Sequence, residues 1–84
     1  MYHFYFIYSK KADKYYIGYT SDLMERIKKH KAKHKGFTGS FNDWELVYSE
    51  EYETKFEAKA REAQVKKWKN RNRIESLIKR NSSA

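Results

Sequence analysis

The sequence predicts a small α/β (α+β) domain: a three-stranded antiparallel sheet flanked by about three helices, in the order ββαβαα. Three observations carry that expectation. Two aromatic and β-branched runs, Phe4–Tyr8 and Tyr15–Tyr19, flank a short polar turn, the pattern of a β-hairpin. A third apolar run, Trp44–Tyr52, follows a glycine-containing loop. The sequence Thr54-Lys55-Phe56-Glu57 then forms a capping box that opens a long helix.

Residues 2–8 are almost all aromatic or β-branched. A run apolar on both faces predicts a buried central strand. Residues 14–19 supply its partner. The turn Lys10-Lys11-Ala12-Asp13 lacks the Asn-Gly of the tightest hairpins, so a loop of three to five residues is expected. With its centre near Ala12, Tyr8 falls opposite Tyr16, and the two hydroxyls share a face. Thr20 or Ser21 is expected to cap the next helix, with Asp22 in its first turn. Leu23, Met24 and Ile27 form its apolar stripe. Arg26 and His30, at i and i+4, lie together along one edge of that stripe. Lys28, Lys29, Lys31, Lys33 and Lys35 continue past the helix end as a candidate nucleic-acid contact.

In the loop 35–43, Phe37 and Phe41 are expected to anchor the loop to the core, with base stacking as the alternative. On the third strand, Leu46 and Tyr48 are expected on one face and Val47 on the other. The long helix runs to about Lys69, with one stripe of Phe56, Ala60 and Ala63. A second stripe of Ala58, Arg61, Val65 and Trp68 lies on roughly the opposite side, and Glu62 borders it. Asn72, with Glu75 three residues on, is expected to start a last helix with the stripe Ile74, Leu77 and Ile78. Residues 1–80 read as a single domain, and 81–84 as a fraying tail.

Eighty-four residues allow one domain with a small core. Hydrophobic residues make up only 39%, but aromatics reach 18%; large aromatics bury enough area to sustain a core and argue against disorder. The formal charge of +8 points to a polyanionic partner, most simply nucleic acid. The absence of cysteine excludes disulfides and cysteine-based metal sites. No apolar run approaches a membrane span and no signal peptide is visible. A soluble cytoplasmic protein is expected.

Tyr16-Ile17-Gly18, followed by Ser21, Leu23, Arg26, His30, Arg61-Glu62, Lys66 and Trp68, resembles the GIY-YIG nuclease family. Phe6-Ile7-Tyr8 stands where that family carries Gly-Ile-Tyr, with only the glycine lost. The similarity is to its small single-domain members, related to the nuclease module of the DNA-repair excinuclease C subunit. The resemblance implies the same ββαβαα architecture and a metal-dependent endonuclease. It would hydrolyse DNA phosphodiester bonds with one divalent metal and a tyrosine general base.

That chemistry needs an activated water, neutralised phosphoryl oxygens and help for the leaving oxygen. The resemblance gives Glu62 one Mg²⁺ or Mn²⁺; magnesium takes one or two carboxylates and completes its shell with water and substrate oxygens. Tyr8 is then the candidate base, its phenolate favoured by nearby cations. Tyr16 shares its proton network or orients the water. Arg26 contacts the scissile phosphate, and His30 binds phosphate or protonates the leaving oxygen. Asn70 and Asn72 compete for a late asparagine position. The structural alternatives are a Glu62–Lys66 surface pair, core tyrosines, an Arg26–Asp22 pair and a structural histidine. The competing functions are a catalytically inactive nucleic-acid-binding module of the same fold and a basic accessory protein. The expected partner is DNA, cut structure-specifically or nonspecifically, with RNA left open, by a monomer or weak dimer.

Overall fold

The chain runs β1 Tyr2–Ser9, β2 Lys14–Thr20, α1 Leu23–Lys31, β3 Glu45–Tyr52, α2 Lys55–Lys66 and α3 Arg71–Ser82, the expected ββαβαα order. The structure is a computed structural model; it describes residues 1–31, 41 and 43–82, with backbone alone for 81 and 82. The sheet order is β2-β1-β3, with both pairs antiparallel.

β1 is central, and Phe4, Tyr5, Phe6 and Ile7 are all buried to 1% exposure or less. Alternation along the strand sends neighbours to opposite faces. Phe4 and Phe6 pack with Tyr48, Val65 and Ile74 under α2 and α3. Tyr5 and Ile7 pack with Trp44, Tyr16, Leu23 and Ile27 under α1.

The hairpin register differs by one residue from the expected one. Ser9 pairs with Lys14 across a four-residue turn, so Tyr8 faces Tyr15 and Tyr16 faces Ile7. A one-residue slip moves a side chain to the other face of the sheet. Tyr8 and Tyr16 are therefore on opposite sides. On β3 the expected alternation also fails. A bulge opposite Phe6 and Ile7 brings both Val47 and Tyr48 to the α2/α3 core and leaves Leu46 41% exposed, because an extra residue in one strand breaks the period of two.

Asp22, rather than Thr20 or Ser21, caps α1: its Oδ1 accepts from the Glu25 amide at 3.1 Å. Thr20 supports it, accepting from the Asp22 amide at 3.1 Å. Thr54 caps α2: its Oγ1 accepts from the Glu57 amide at 3.2 Å and donates to Glu57 Oε1 at 2.9 Å, so the glutamate meets the hydroxyl rather than the Thr54 amide of a full capping box. The stripe of Ala58, Arg61, Val65 and Trp68 faces inward; the stripe led by Phe56, 80% exposed, faces solvent. α2 stops at Lys66, short of Lys69, whose φ of 47° lies outside helical backbone. Asn70, not Asn72, caps α3; its Oδ1 accepts from the Asn72 and Arg73 amides at 2.9 and 3.4 Å.

Glu50 ties α2 to the sheet. Its carboxylate accepts from Arg61 Nε and Nη2 at 3.0 and 3.2 Å and from the Tyr48 and Tyr52 hydroxyls. Burial raises the Glu50 pKa, but the bonds from Arg61 and both phenols outweigh it and hold the carboxyl below its usual range. Such a group stabilises the fold above its ordinary pKa of about 4.3, and that stability is lost as pH falls through the lower folded value. Glu50→Ala is expected to cost about 1–3 kcal/mol at pH 7 by stranding partly buried donors. Urea unfolding should show the gap from wild type narrowing on acidification; a gap constant from pH 7 to pH 2 would remove this account.

Candidate active site

The site begins with a missing side chain. Tyr5 lies directly across from Gly18 in the hairpin. A Cβ on Gly18 would stand 2.7 Å from Tyr5 Oη, 2.9 Å from Tyr5 Cζ and 3.2 Å from Tyr16 Cε1. The glycine thus lets the Tyr5 ring lie across β2. In Tyr16-Ile17-Gly18, the tyrosine and the glycine lie against Tyr5, and Ile17 turns to the opposite core.

α1 brings the next groups. Leu23 and Ile27 pack on the cluster of Tyr5, Ile7 and Trp44. His30, one turn beyond Ile27, is carried inward to 6% exposure. Its Nε2 lies 2.8 Å from Tyr5 Oη, and its ring centroid is 4.8 Å from that of Tyr16. Tyr5, Tyr16, Gly18 and Arg26 then meet Lys55, Glu62 and Lys66 of α2 around a cleft of about 520 Å³. Tyr2, Tyr19, Thr20 and Ser21 complete its wall.

Of the expected catalytic residues, Tyr16, Arg26 and Glu62 line this cleft, and His30 joins it through Tyr5. Tyr8 does not. Its hydroxyl donates to Asp13 Oδ1 at 2.6 Å, and its ring packs on Tyr15 beneath the Arg71 guanidinium. The hydrogen bond to Asp13 is the main reason its phenol pKa is raised. Lys28, Lys29 and Lys31 are exposed on the last turn of α1 and are not among the cleft residues. Lys33, Lys35 and Phe37 lie outside the described residues. Phe41 packs on the Trp44 cluster as an anchor.

Tyr5, Lys55 and Lys66 also line the cleft and were not among the expected site residues. Two signals point to them. A four-residue turn over 10–13 places Tyr5 opposite Gly18. The spacing 55, 62, 66 places the two lysines on the helix face of Glu62.

Burial is the largest influence on the Tyr5 phenol and pushes its pKa up; Tyr16 and Glu62 add to this, while Arg26 pulls it down. Glu62 is the one carboxylate among the cleft residues, and it already holds a cation, Lys66 Nζ at 3.3 Å. Among the described residues no group of three or more His, Cys, Asp or Glu could enclose a metal. A lone carboxylate in an open cleft fits Mg²⁺ or Mn²⁺ that keeps most of its shell as water and substrate oxygens. It does not fit a fully protein-ligated ion.

Residues 1–75 match the family model described as the GIY-YIG catalytic domain. A UPF0213 protein of Listeria monocytogenes serotype 4b is 32% identical over 82 residues, covering 96% of this chain and 92% of its own. The UPF0213 protein YazA of Bacillus subtilis is 36% identical over 66 residues, covering 77% and 67%. The solution NMR structure of the UPF0213 protein BH0048 from Bacillus halodurans has a TM-score of 0.54 and 30% identity, covering 94% of this chain and 84% of that one.

Gly18→Ala tests the packing that builds the site. The clash is with a ring 1% exposed that has little room to retreat. Overpacking of this kind costs about 1–3 kcal/mol, and the Tyr5–His30 contact should open. Thermal melting together with the His30 ring NMR signals would read both. Unchanged stability and unchanged His30 signals would show that Tyr5 does not need the space.

Proposed function

Because the chain belongs to the GIY-YIG catalytic domain family, a nuclease family, we propose that it is a metal-dependent endonuclease hydrolysing DNA phosphodiester bonds in this cleft. The observation that carries the reading is the convergence of Tyr5, Tyr16, Arg26 and Glu62 on one cleft, with His30 bonded to Tyr5 behind it.

In this reading the scissile phosphate enters between α1 and α2. Arg26 offers its planar fork to two phosphoryl oxygens, and Lys55 and Lys66 add positive charge along the strand. Glu62 would hold Mg²⁺ or Mn²⁺, which when bound would supply positive charge to the phosphoryl oxygens and acidify water. Tyr5 is the general base. Its hydroxyl proton passes to His30 Nε2, and the phenol oxygen takes a proton from the attacking water. The new P–O bond forms as the bond to the leaving oxygen breaks, and that oxygen takes its proton from solvent. Tyr16, against the His30 ring, keeps the imidazole aligned and flanks the water. A histidine at 6% exposure with Nε2 on Tyr5 suits a proton partner better than a phosphate ligand.

The test separates the two tyrosines. Tyr5→Phe is expected to stay folded, with a melting temperature lowered by loss of the buried bond to His30, and to keep its DNA affinity while losing about 10²–10⁴ in cleavage rate, the usual worth of a general base. Tyr8→Phe is expected to cut at the wild-type rate. The assay is a panel of single-stranded, duplex, flap and branched DNA with Mg²⁺ or Mn²⁺. The reverse pattern would return the role to Tyr8. A wild-type protein inactive on every substrate would make this fold a nucleic-acid-binding module.

A further inference from the structure

Glu62 is engaged in the free protein. Its Oε1 lies 3.3 Å from Lys66 Nζ, one turn along α2, and the Lys66 side chain is 53% exposed against 18% for Glu62. An exposed ammonium on a flexible four-carbon stem gives up such a partner easily. The carboxylate is mostly covered and faces a basic cleft. Lys55 lies on the same helix face, and all three residues line the cleft opposite Arg26. From Lys55 to Lys66 the helix rises by about 16 Å, enough to accompany more than one phosphate of a strand.

Resting on the nuclease reading of this cleft, we propose that Lys66 is an exchange cation. It neutralises Glu62 in the free protein and transfers to a nucleic-acid phosphate when a divalent cation takes the carboxylate. Lys55 contacts a phosphate further along the strand and takes no part in the exchange. The consequence is positive coupling: divalent cation frees a phosphate contact, and nucleic acid draws off the competitor for Glu62. Linkage requires both effects to be equal.

Lys66→Met and Lys55→Met separate these roles, both placed in a Tyr5→Phe background so that DNA stays uncut. Duplex binding is followed by fluorescence anisotropy across a NaCl series, in EDTA and in Mn²⁺. Mn²⁺ affinity without DNA is followed by EPR of the free ion. Lys66→Met is expected to raise Mn²⁺ affinity severalfold. It should lower the log–log salt slope by about 0.9 in Mn²⁺ and leave the slope in EDTA unchanged. Lys55→Met is expected to lower the slope by about 0.9 under both conditions and leave Mn²⁺ affinity unchanged. The exchange is overturned if Lys66→Met leaves Mn²⁺ affinity unchanged, or if its slope falls equally with and without Mn²⁺. A wild-type protein that shows the coupling but cuts nothing would fail the nuclease reading alone. One that cuts, with Lys66→Met failing these tests, would fail the exchange alone.

Discussion

Asp13 holds the turn on which the rest of the structure depends. Its φ of 52° lies in the left-handed region that aspartate tolerates. Its carboxylate takes the Tyr8 hydroxyl at 2.6 Å and Arg71 Nη2 at 2.7 Å. Arg71 also donates to the Asp13 carbonyl and to Glu75, which accepts the Tyr15 hydroxyl. From the other side, Asp43 accepts from Ser9 Oγ at 2.6 Å and from the Lys11 amide at 2.9 Å. Exposed contacts like these are each worth little. The burial of β1 supplies the energy, and the contacts select the turn length that gives that burial its parity. Tyr8 uses its hydroxyl in this grip, and Tyr5 is left to face the cleft.

A second constraint sets the roll of α2. Adjacent helical residues point about 100° apart. Arg61 is fixed by its two bonds to Glu50 and by its place over the Phe4 and Trp68 rings, at 5.8 and 5.7 Å. Glu62 is then turned toward the cleft. The phenols of Tyr48 and Tyr52, pushed up to about 12 first by burial and then by Glu50, remain neutral donors and lock the carboxylate. An Arg-Glu pair in the sequence is thus a division of labour: the arginine orients the helix, and the glutamate faces the cleft.

Features carried by local patterns were legible in the sequence. The element order, the Thr54 cap and the inward stripe of Ala58, Val65 and Trp68 follow from spacing within one segment, and the anchoring of Phe41 follows from its being an aromatic in a polar loop. That Tyr16, Arg26 and Glu62 share one cleft was legible through family resemblance. What could not be read was the parity of β1. Phe4 to Ile7 are apolar on both faces, so no polar residue marks which face is which, and the turn length alone decides. The same parity hid Tyr5 and promoted Tyr8. The β3 bulge and the choice of Asn70 over Asn72 as cap depend on tertiary packing rather than on composition. Lys55 and Lys66 could be placed beside Glu62 by helical spacing, but only a known orientation of α2 makes that face the cleft.

In the proposed nuclease, the charge of the cleft would link binding to proton transfer. A phenol at 1% exposure resists ionisation because burial penalises the phenolate, and the carboxylate of Glu62 adds to that resistance while Arg26 opposes it. Any cation that settles on Glu62 removes one of the influences holding the Tyr5 proton in place. Lys66 does so with one charge and a mobile tether. A divalent ion does so with two charges and, at Glu62, leaves net positive potential facing Tyr5. An incoming phosphate works in the opposite sense, since its negative charge restores the phenol's hold on its proton. In the proposed nuclease, Arg26 and the lysines of α2 would therefore have two tasks: to attract the strand, and to cancel its charge at the phenol so that substrate binding does not disarm the base.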